Sequence, residues 1–250
     1  MKECIKTASH HAGAVGDESV TLNSEIIELL RKEGCSISGF ADIRCLSKEV
    51  RQNFDRAAVI ALPHTKEALI ENNNGSPQRY YKEWLSINAR LQELALMTAD
   101  LLIERGYKAC AKISSAAVQD EDLRTVLPHK TAATLAGIGW IGKCAALVTE
   151  EAGSALRLIA VLTNAPLECG TPVREPKCGP GCTACADMCP GKAVAGRLWE
   201  PYIDRDALLD VRACRSAAGA RAESMLGVHE TICGLCISNC PFTKRAFDYP

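Results

Sequence analysis

Eight cysteines between positions 178 and 240 fall into two runs with a single residue set between them. The first run is Cys178-Gly179-Pro180-Gly181-Cys182-Thr183-Ala184-Cys185-Ala186-Asp187-Met188-Cys189-Pro190. The second is Cys233-Gly234-Leu235-Cys236-Ile237-Ser238-Asn239-Cys240-Pro241, and Cys214 lies between them. An iron–sulfur cubane needs four thiolates on one small site; a tight loop supplies three and a distant cysteine the fourth. In two-cluster ferredoxins the cysteine before proline in each run ligates the other run's cluster. Applied here, Cys178, Cys182 and Cys185 with Cys240 hold one [4Fe-4S] cluster. Cys233 and Cys236 with Cys189 hold a second, and Cys214 is the candidate for its missing ligand. The chemistry so predicted is one-electron transfer.

Zinc is the competing reading, because paired C-x2-C elements also build tetrahedral sites. Zinc motifs, however, do not call for eight cysteines in two runs that both end Cys-Pro. A disulfide framework suits small secreted chains rather than 250 residues opening without a signal-peptide h-region. The first run carries one extra residue between Cys178 and Cys182, in a loop that Gly179, Pro180 and Gly181 can widen. Cys4, Cys35, Cys45, Cys110 and Cys169 have no metal spacing and read as core or surface thiols.

The rest of the chain must position these ligands. Its 47% hydrophobic and 24% charged composition is that of a globular protein. At net charge −1 it lacks the basic excess of a general phosphate binder. No apolar run reaches the eighteen or so residues of a membrane span, so the expected location is cytoplasmic. The patterning predicts a helix from Thr21 to Gly34, strands at Cys35–Ala41 and Ala57–Pro63, and a polar loop at Glu71–Pro77. A long helix follows over Gln78–Arg105, then a strand at Lys108–Ser114 and a helix at Lys130–Ala136. Ala145–Thr149 and Ala155–Thr163 read as a hairpin. Asp204 is a candidate cap for a helix to Ala217, with Cys214 near its end. His10 and His11 lie near the N-terminus, and Tyr80, Tyr81 and Trp84 read as packing residues.

Gly137-Ile138-Gly139-Trp140-Ile141-Gly142 matches G-x-G-x-x-G, the dinucleotide fingerprint. That motif needs a strand before it and a helix after it, since the pyrophosphate sits on the helix N-terminus. Here a helix precedes and a strand follows, which leaves a tight turn or a close approach of backbone to a large cofactor.

Together, Ala136-Gly137-Ile138-Gly139-Trp140-Ile141-Gly142-Lys143, the upstream Gly106-Tyr107, the hairpin with Gly153-Ser154 and both Cys-Pro runs resemble the epoxyqueuosine reductase family. The resemblance spans roughly residues 22 to 245. It implies an α+β protein: a nitroreductase-like α/β domain at 1–172, holding cobalamin, then a ferredoxin-like double-cluster module at 173–250. In that family, and in the related reductive dehalogenases, two [4Fe-4S] clusters deliver electrons to cobalt, and the family's second cluster uses a cysteine at the Cys214 position. The implied substrate is epoxyqueuosine in tRNA or a related electrophile, and the implied electron donor is a ferredoxin or flavodoxin. Gly139, Trp140, Ile141, Gly142, Lys143 and Cys144 are the implied cofactor-side residues. FMN is the alternative cofactor, since nitroreductase-like folds host it, and a corrinoid-reducing electron carrier without its own substrate is the alternative function.

Three departures accompany the resemblance. The family's catalytic aspartate falls here on Leu123, with Asp120 and Asp122 close by but out of register, and His129 as another candidate proton donor. The family's Gly-Lys-Asn is Gly142-Lys143-Cys144, which puts a soft thiol beside the cofactor turn. The chain ends at Pro250 without the helical-repeat tail that holds tRNA, which weakens the tRNA expectation more than the redox one.

Overall fold

The computed structural model describes residues 18–112 and 120–250, with side chains from 21 onward. It is a mixed α+β structure with small antiparallel strand pairs. Cα packing divides it into two compact units, one of residues 1–62, 88–138 and 157–173, the other of 63–87, 139–156 and 174–250.

The first unit carries a four-stranded sheet. Helix α1 (Glu18–Lys32) has Arg31 and Lys32 in its last turn, where cations suit the helix dipole, and Gly34 follows at φ +81°. Strand β1 (Ile37–Asp42) pairs antiparallel with β2 (Arg56–Pro63), with the short helix α2 (Lys48–Arg51) between them. Five successive buried residues, Ala57 to Ala61, mark β2 as an interior strand. The sheet order is β1-β2-β6-β3, where β3 is Ala109–Ala111 and β6 is Leu156–Thr163. Helix α5 (His129–Leu135) packs on β1. Ile26, Leu30, Val59, Ile60 and Leu162 are among its fully buried residues. Burying such side chains contributes roughly 1.5–3 kcal/mol each.

The second unit is mainly helical. It holds α3 (Lys66–Asn73), the first ten residues of α4 (Gln78–Glu104), and the two-residue strands β4 (Trp140–Ile141) and β5 (Leu147–Val148). The one-turn helices α6 (Ala184–Asp187) and α8 (Leu235–Ser238), the longer α7 (Val211–Leu226) and α9 (Pro241–Ala246) complete it. Tyr80 stacks on His64 at 4.4 Å in a core with Leu69, Ala222, Ile232 and Tyr249. Tyr81 and Trp84 pack against the same core, so all three aromatic residues pack as expected.

Three local expectations change. The segment ending at Asn73 is helical, because Thr65 caps it by accepting from the Ala68 N–H. β5 pairs with β4, while β6 enters the four-stranded sheet, so Ala145–Thr149 and Ala155–Thr163 are not one hairpin. Asp204 caps only a 3₁₀ turn at Arg205–Ala207; Asp210 caps α7, and Cys214 therefore lies in that helix's first turn. Cys4, His10, His11 and the expected strand end at Ser114 lie outside the described residues.

Candidate redox site

Each cysteine run is built around a single helical turn. Cys185 sits in α6 and Cys236 in α8, and the two helices pack on each other. Cys240 occupies the N-cap of α9 with Pro241 at the first helical position, where a missing N–H costs nothing. The cysteine before proline is thereby held at a helix entrance, off the line of its own run. In the first run the Ala193 N–H donates to Cys189 Sγ at 3.3 Å.

Cys178, Cys182, Cys185 and Cys240 line one cavity of about 210 Å³, together with Gly142, Lys143, Cys144, Lys177 and Phe242. Three of these cysteines come from the first run and one from the second. Lys143 is 4% exposed, and its Nζ donates to the carbonyls of Pro180 at 2.7 Å and Cys182 at 2.9 Å. The widened loop is thus tied to the turn between β4 and β5. That turn is tight: the Gly142 N–H reaches Ala146 O at 2.9 Å, and Ala145 takes φ +58°. A Cβ on Gly142 would stand 2.8 Å from Val148 Cγ2 and 3.6 Å from Cys178 Sγ. Glycine here leaves room for the Val148 side chain.

Three of the remaining four cysteines pack in one neighbourhood. Cys189, Cys214 and Cys236 share a packed cluster with Cys144, Cys185, Ala193 and Val194. Gly191 makes this approach feasible, since a Cβ there would fall 2.7 Å from the Ala213 carbonyl in the first turn of α7. The Cys233 carbonyl accepts from Asn72 Nδ2 at 3.1 Å and from Arg221 at 3.4 Å. Gly234, at φ +76°, lies against the Tyr80 ring.

Ionisation is opposed at four of these thiols. Burial, then the negative charge of Cys189 and Cys233, pushes the Cys214 thiol up. Burial raises Cys233 as well, against a backbone hydrogen bond at Leu235 that lowers it. The hydrogen bond with Cys144, then burial, raises Cys185. For Cys144, the bond with Cys185 favours the thiolate, but the bond with Cys236 and burial outweigh it, and the thiol is pushed up. Such thiols become thiolates only when a cation is supplied to them. Among the described residues no group of three or more metal-binding side chains converges as a single metal ion requires.

The other named residues have plainer positions. Gly139 packs against β5, where a Cβ would fall 2.1 Å from the Val148 carbonyl, and Ile141 pairs with Leu147. Trp140 is 2% exposed and meets Phe242 edge-on at 4.9 Å. Asp120 and Asp122 are exposed in the first unit, and Asp120 Oδ1 accepts from the N–H groups of Asp122 at 3.0 Å and Arg124 at 2.8 Å. His129, the first residue of α5, is buried in that unit. Cys35 and Cys169 are thiols bonded to backbone carbonyls, Cys45 is an exposed thiol, and Cys110 is disulfide-bonded rather than free. Asn72 and Arg221 were not signalled by any spacing in the sequence.

No family model matches the chain. A curated epoxyqueuosine reductase from Gloeobacter violaceus is 35% identical over 150 residues, covering 56% of this chain and 41% of its own length. Another, from Synechococcus sp., is 28% identical over 169 residues, covering 64% and 46%. The chain is a relative of the epoxyqueuosine reductases. It spans less than half the length of either of these relatives. A crystal structure of an epoxyqueuosine reductase with an epoxyqueuosine-modified tRNA-Tyr stem loop superposes with a TM-score of 0.59 at 21% identity, over 90% of this chain and 66% of that one. A catabolic reductive dehalogenase gives 0.65 at 18% identity, over 96% and 35%. At these identities the structural likeness is one of fold. No described helix is long and apolar enough to cross a membrane.

Proposed function

We propose that the protein is an iron–sulfur oxidoreductase of the epoxyqueuosine reductase type, in which two [4Fe-4S] clusters carry electrons. Cys178, Cys182, Cys185 and Cys240 hold the first, and Cys189, Cys214, Cys233 and Cys236 the second. The observation that carries this reading is the cavity that gathers three cysteines of one run with the pre-proline cysteine of the other. In finer terms, the sheet-bearing unit is nitroreductase-like and the cysteine-bearing unit ferredoxin-like. The two one-turn helices α6 and α8, each holding the second cysteine of a C-x2-C, support the latter.

When bound, each cluster takes up and gives back single electrons. The chain's own residues do the rest. Lys143 fixes the loop of the first set and places an ammonium beside the cavity, offsetting the negative charge of four thiolates. Trp140 and Phe242 form an aromatic pair beside it; Phe242 lines the cavity and excludes water there. Asn72 and Arg221 hold the Cys233 carbonyl and with it the loop of the second set.

Cobalamin follows from the family relation alone. Gly139, Trp140 and Ile141 pack on β5 and Phe242, while Gly142, Lys143 and Cys144 line the cysteine cavity. Epoxyqueuosine in tRNA is the substrate the relatives suggest, a low-potential ferredoxin or flavodoxin the donor.

Anaerobic purification with iron, sulfide and cobalt quantitation, and a visible spectrum before and after adding cobalamin, tests the proposal. Two cubanes' worth of iron and sulfide is the expected result. Zinc in place of iron, or neither metal, overturns it. A spectrum unchanged by cobalamin removes the corrinoid and leaves an electron carrier, and flavin fluorescence after denaturation would identify FMN instead.

A further inference from the structure

The second cysteine set is bordered by exposed cations. Cys214 lies in the first turn of α7, and Arg212 and Arg215, on either side of it in the chain, are both exposed. Three residues apart, the two arginines stand on one face of the helix. Lys192 is exposed as well, and its neighbour Gly191 comes close to the same turn: a Cβ on Gly191 would fall 2.7 Å from the Ala213 carbonyl and 2.9 Å from Ala217 Cβ. The Lys192 N–H reaches Cys189 O at 3.1 Å, so this cation sits at the end of the first run. Among the described residues, neither Lys192 nor Arg215 has a carboxylate partner. Asp210 is the acid next to Arg212 in the chain, and its carboxylate is turned to the helix backbone, accepting from the N–H groups of Arg212 at 3.0 Å and Ala213 at 2.9 Å.

The first set is bordered differently. Lys177 lines its cavity, but its ammonium pairs with Glu150 at 2.6 Å, and Arg245 pairs with the same carboxylate at 3.3 Å. In the two-cluster reading, on which this inference rests, Cys189, Cys214, Cys233 and Cys236 hold a cluster, and the last three are only half-buried. A cluster near the surface can take electrons from a carrier that docks over it. Such redox encounters use small, weakly bound interfaces, and surface cations steer them toward carboxylates on the partner. A nucleic acid would want the broad basic excess that a net charge of −1 does not supply.

We propose that Lys192, Arg212 and Arg215 form the docking face for an acidic one-electron carrier protein, which delivers electrons to the second cluster first. The carrier loses one electron and the cluster gains it; no covalent bond forms or breaks.

The test compares the full chain with the triple variant Lys192→Glu/Arg212→Glu/Arg215→Glu, both purified anaerobically, with flavodoxin as the acidic carrier. Iron, sulfide and circular dichroism should match. The variant should bind flavodoxin about tenfold more weakly at low salt, and salt should weaken the wild type far more than the variant. Reduction of the clusters by reduced flavodoxin, followed by stopped flow, should slow in step with binding. If the triple variant loses iron, Arg215→Gln makes the same comparison, with an effect of about threefold. Wild-type protein without two clusters' iron sinks the two-cluster reading itself. Full iron with equal flavodoxin affinity in wild type and variant overturns the docking face and leaves that reading standing. Weaker flavodoxin binding in Lys177→Glu/Arg245→Glu but not in the triple variant moves the face to the first set and also overturns it. So does a triple variant that loses affinity for tRNA while keeping it for flavodoxin.

Discussion

The buried Lys143 ammonium donates to the Pro180 carbonyl at 2.7 Å, tying the turn after β4 to a loop 37 residues further along the chain. The same nitrogen bonds the Cys182 carbonyl, so one side chain spans the widened part of the first cysteine run.

Replacing it should therefore act locally. Lys143→Met keeps the aliphatic stem but loses two charge-assisted hydrogen bonds, each of a kind that contributes about 1.5–3 kcal/mol. The expected outcome is loss of about half the bound iron with the secondary structure retained, read by iron quantitation beside circular dichroism. Full iron loading would show that the loop does not need its tether.

Asn72→Ala makes the complementary change. It removes the donor to the Cys233 carbonyl and to Ser238 Oγ, and leaves a half-buried carbonyl with only the longer Arg221 contact. The cost should be about 1–3 kcal/mol, and cluster loss should fall on the second set. Two variants that each remove the same half of the iron would contradict this division.

Gly139→Ala tests whether the glycine pattern serves packing. The new methyl would lie 2.1 Å from the Val148 carbonyl oxygen, a backbone atom that cannot swing aside. Destabilisation of about 3 kcal/mol or more is expected, at the upper end for single substitutions. Urea unfolding measures it; a change below about 1 kcal/mol would mean that the β4–β5 pair shifts freely.

Acid stability carries a signature from the first unit. The hydrogen bond from Arg44, foremost, holds the Asp42 carboxyl below its ordinary value, and Arg56 adds to it. A carboxyl lowered in the folded state stabilises above its unfolded value, near pH 4, and that contribution is lost as pH falls through the lowered folded value. Asp42→Asn should thus be less stable at pH 7, by about 0.2–1 kcal/mol for so exposed a pair, and should lose less on acidification. Parallel stability curves for the two proteins from pH 7 to pH 3 would refute it.

The two cysteine runs stand out in the sequence because their spacing lies along the chain itself. The partners of their loops do not. Lys143, Asn72 and Arg221 reach their carbonyls through tertiary packing, which leaves no periodic trace. α1, β1, β2 and α4 announced themselves through apolar periodicity and glycine stops. α3 went unread because its last residues, Glu71 to Asn73, look like the start of an asparagine-rich loop, although Thr65 was a visible cap. The false hairpin arose because two apolar segments joined by Glu150, Glu151 and Gly153 satisfy a local rule. The register of β5 is set instead by the closer turn at Gly142–Ala145. Asp204 and Asp210 are both good caps, and only the backbone distinguishes which one opens the long helix.

The cysteine-bearing unit draws on three separated stretches, 63–87, 139–156 and 174–250. It is therefore not a cassette. A fragment of residues 174–250 alone would carry all eight cysteines and none of their outside supports, lacking Lys143, Asn72 and Tyr80. Grafted onto another protein, it would bring ligands without the scaffold that spaces them. On the ribosome, too, the first cysteine run emerges when Asn72 and Lys143 are already made but the second run is not, so the cavity that draws on both runs closes only after the second is made.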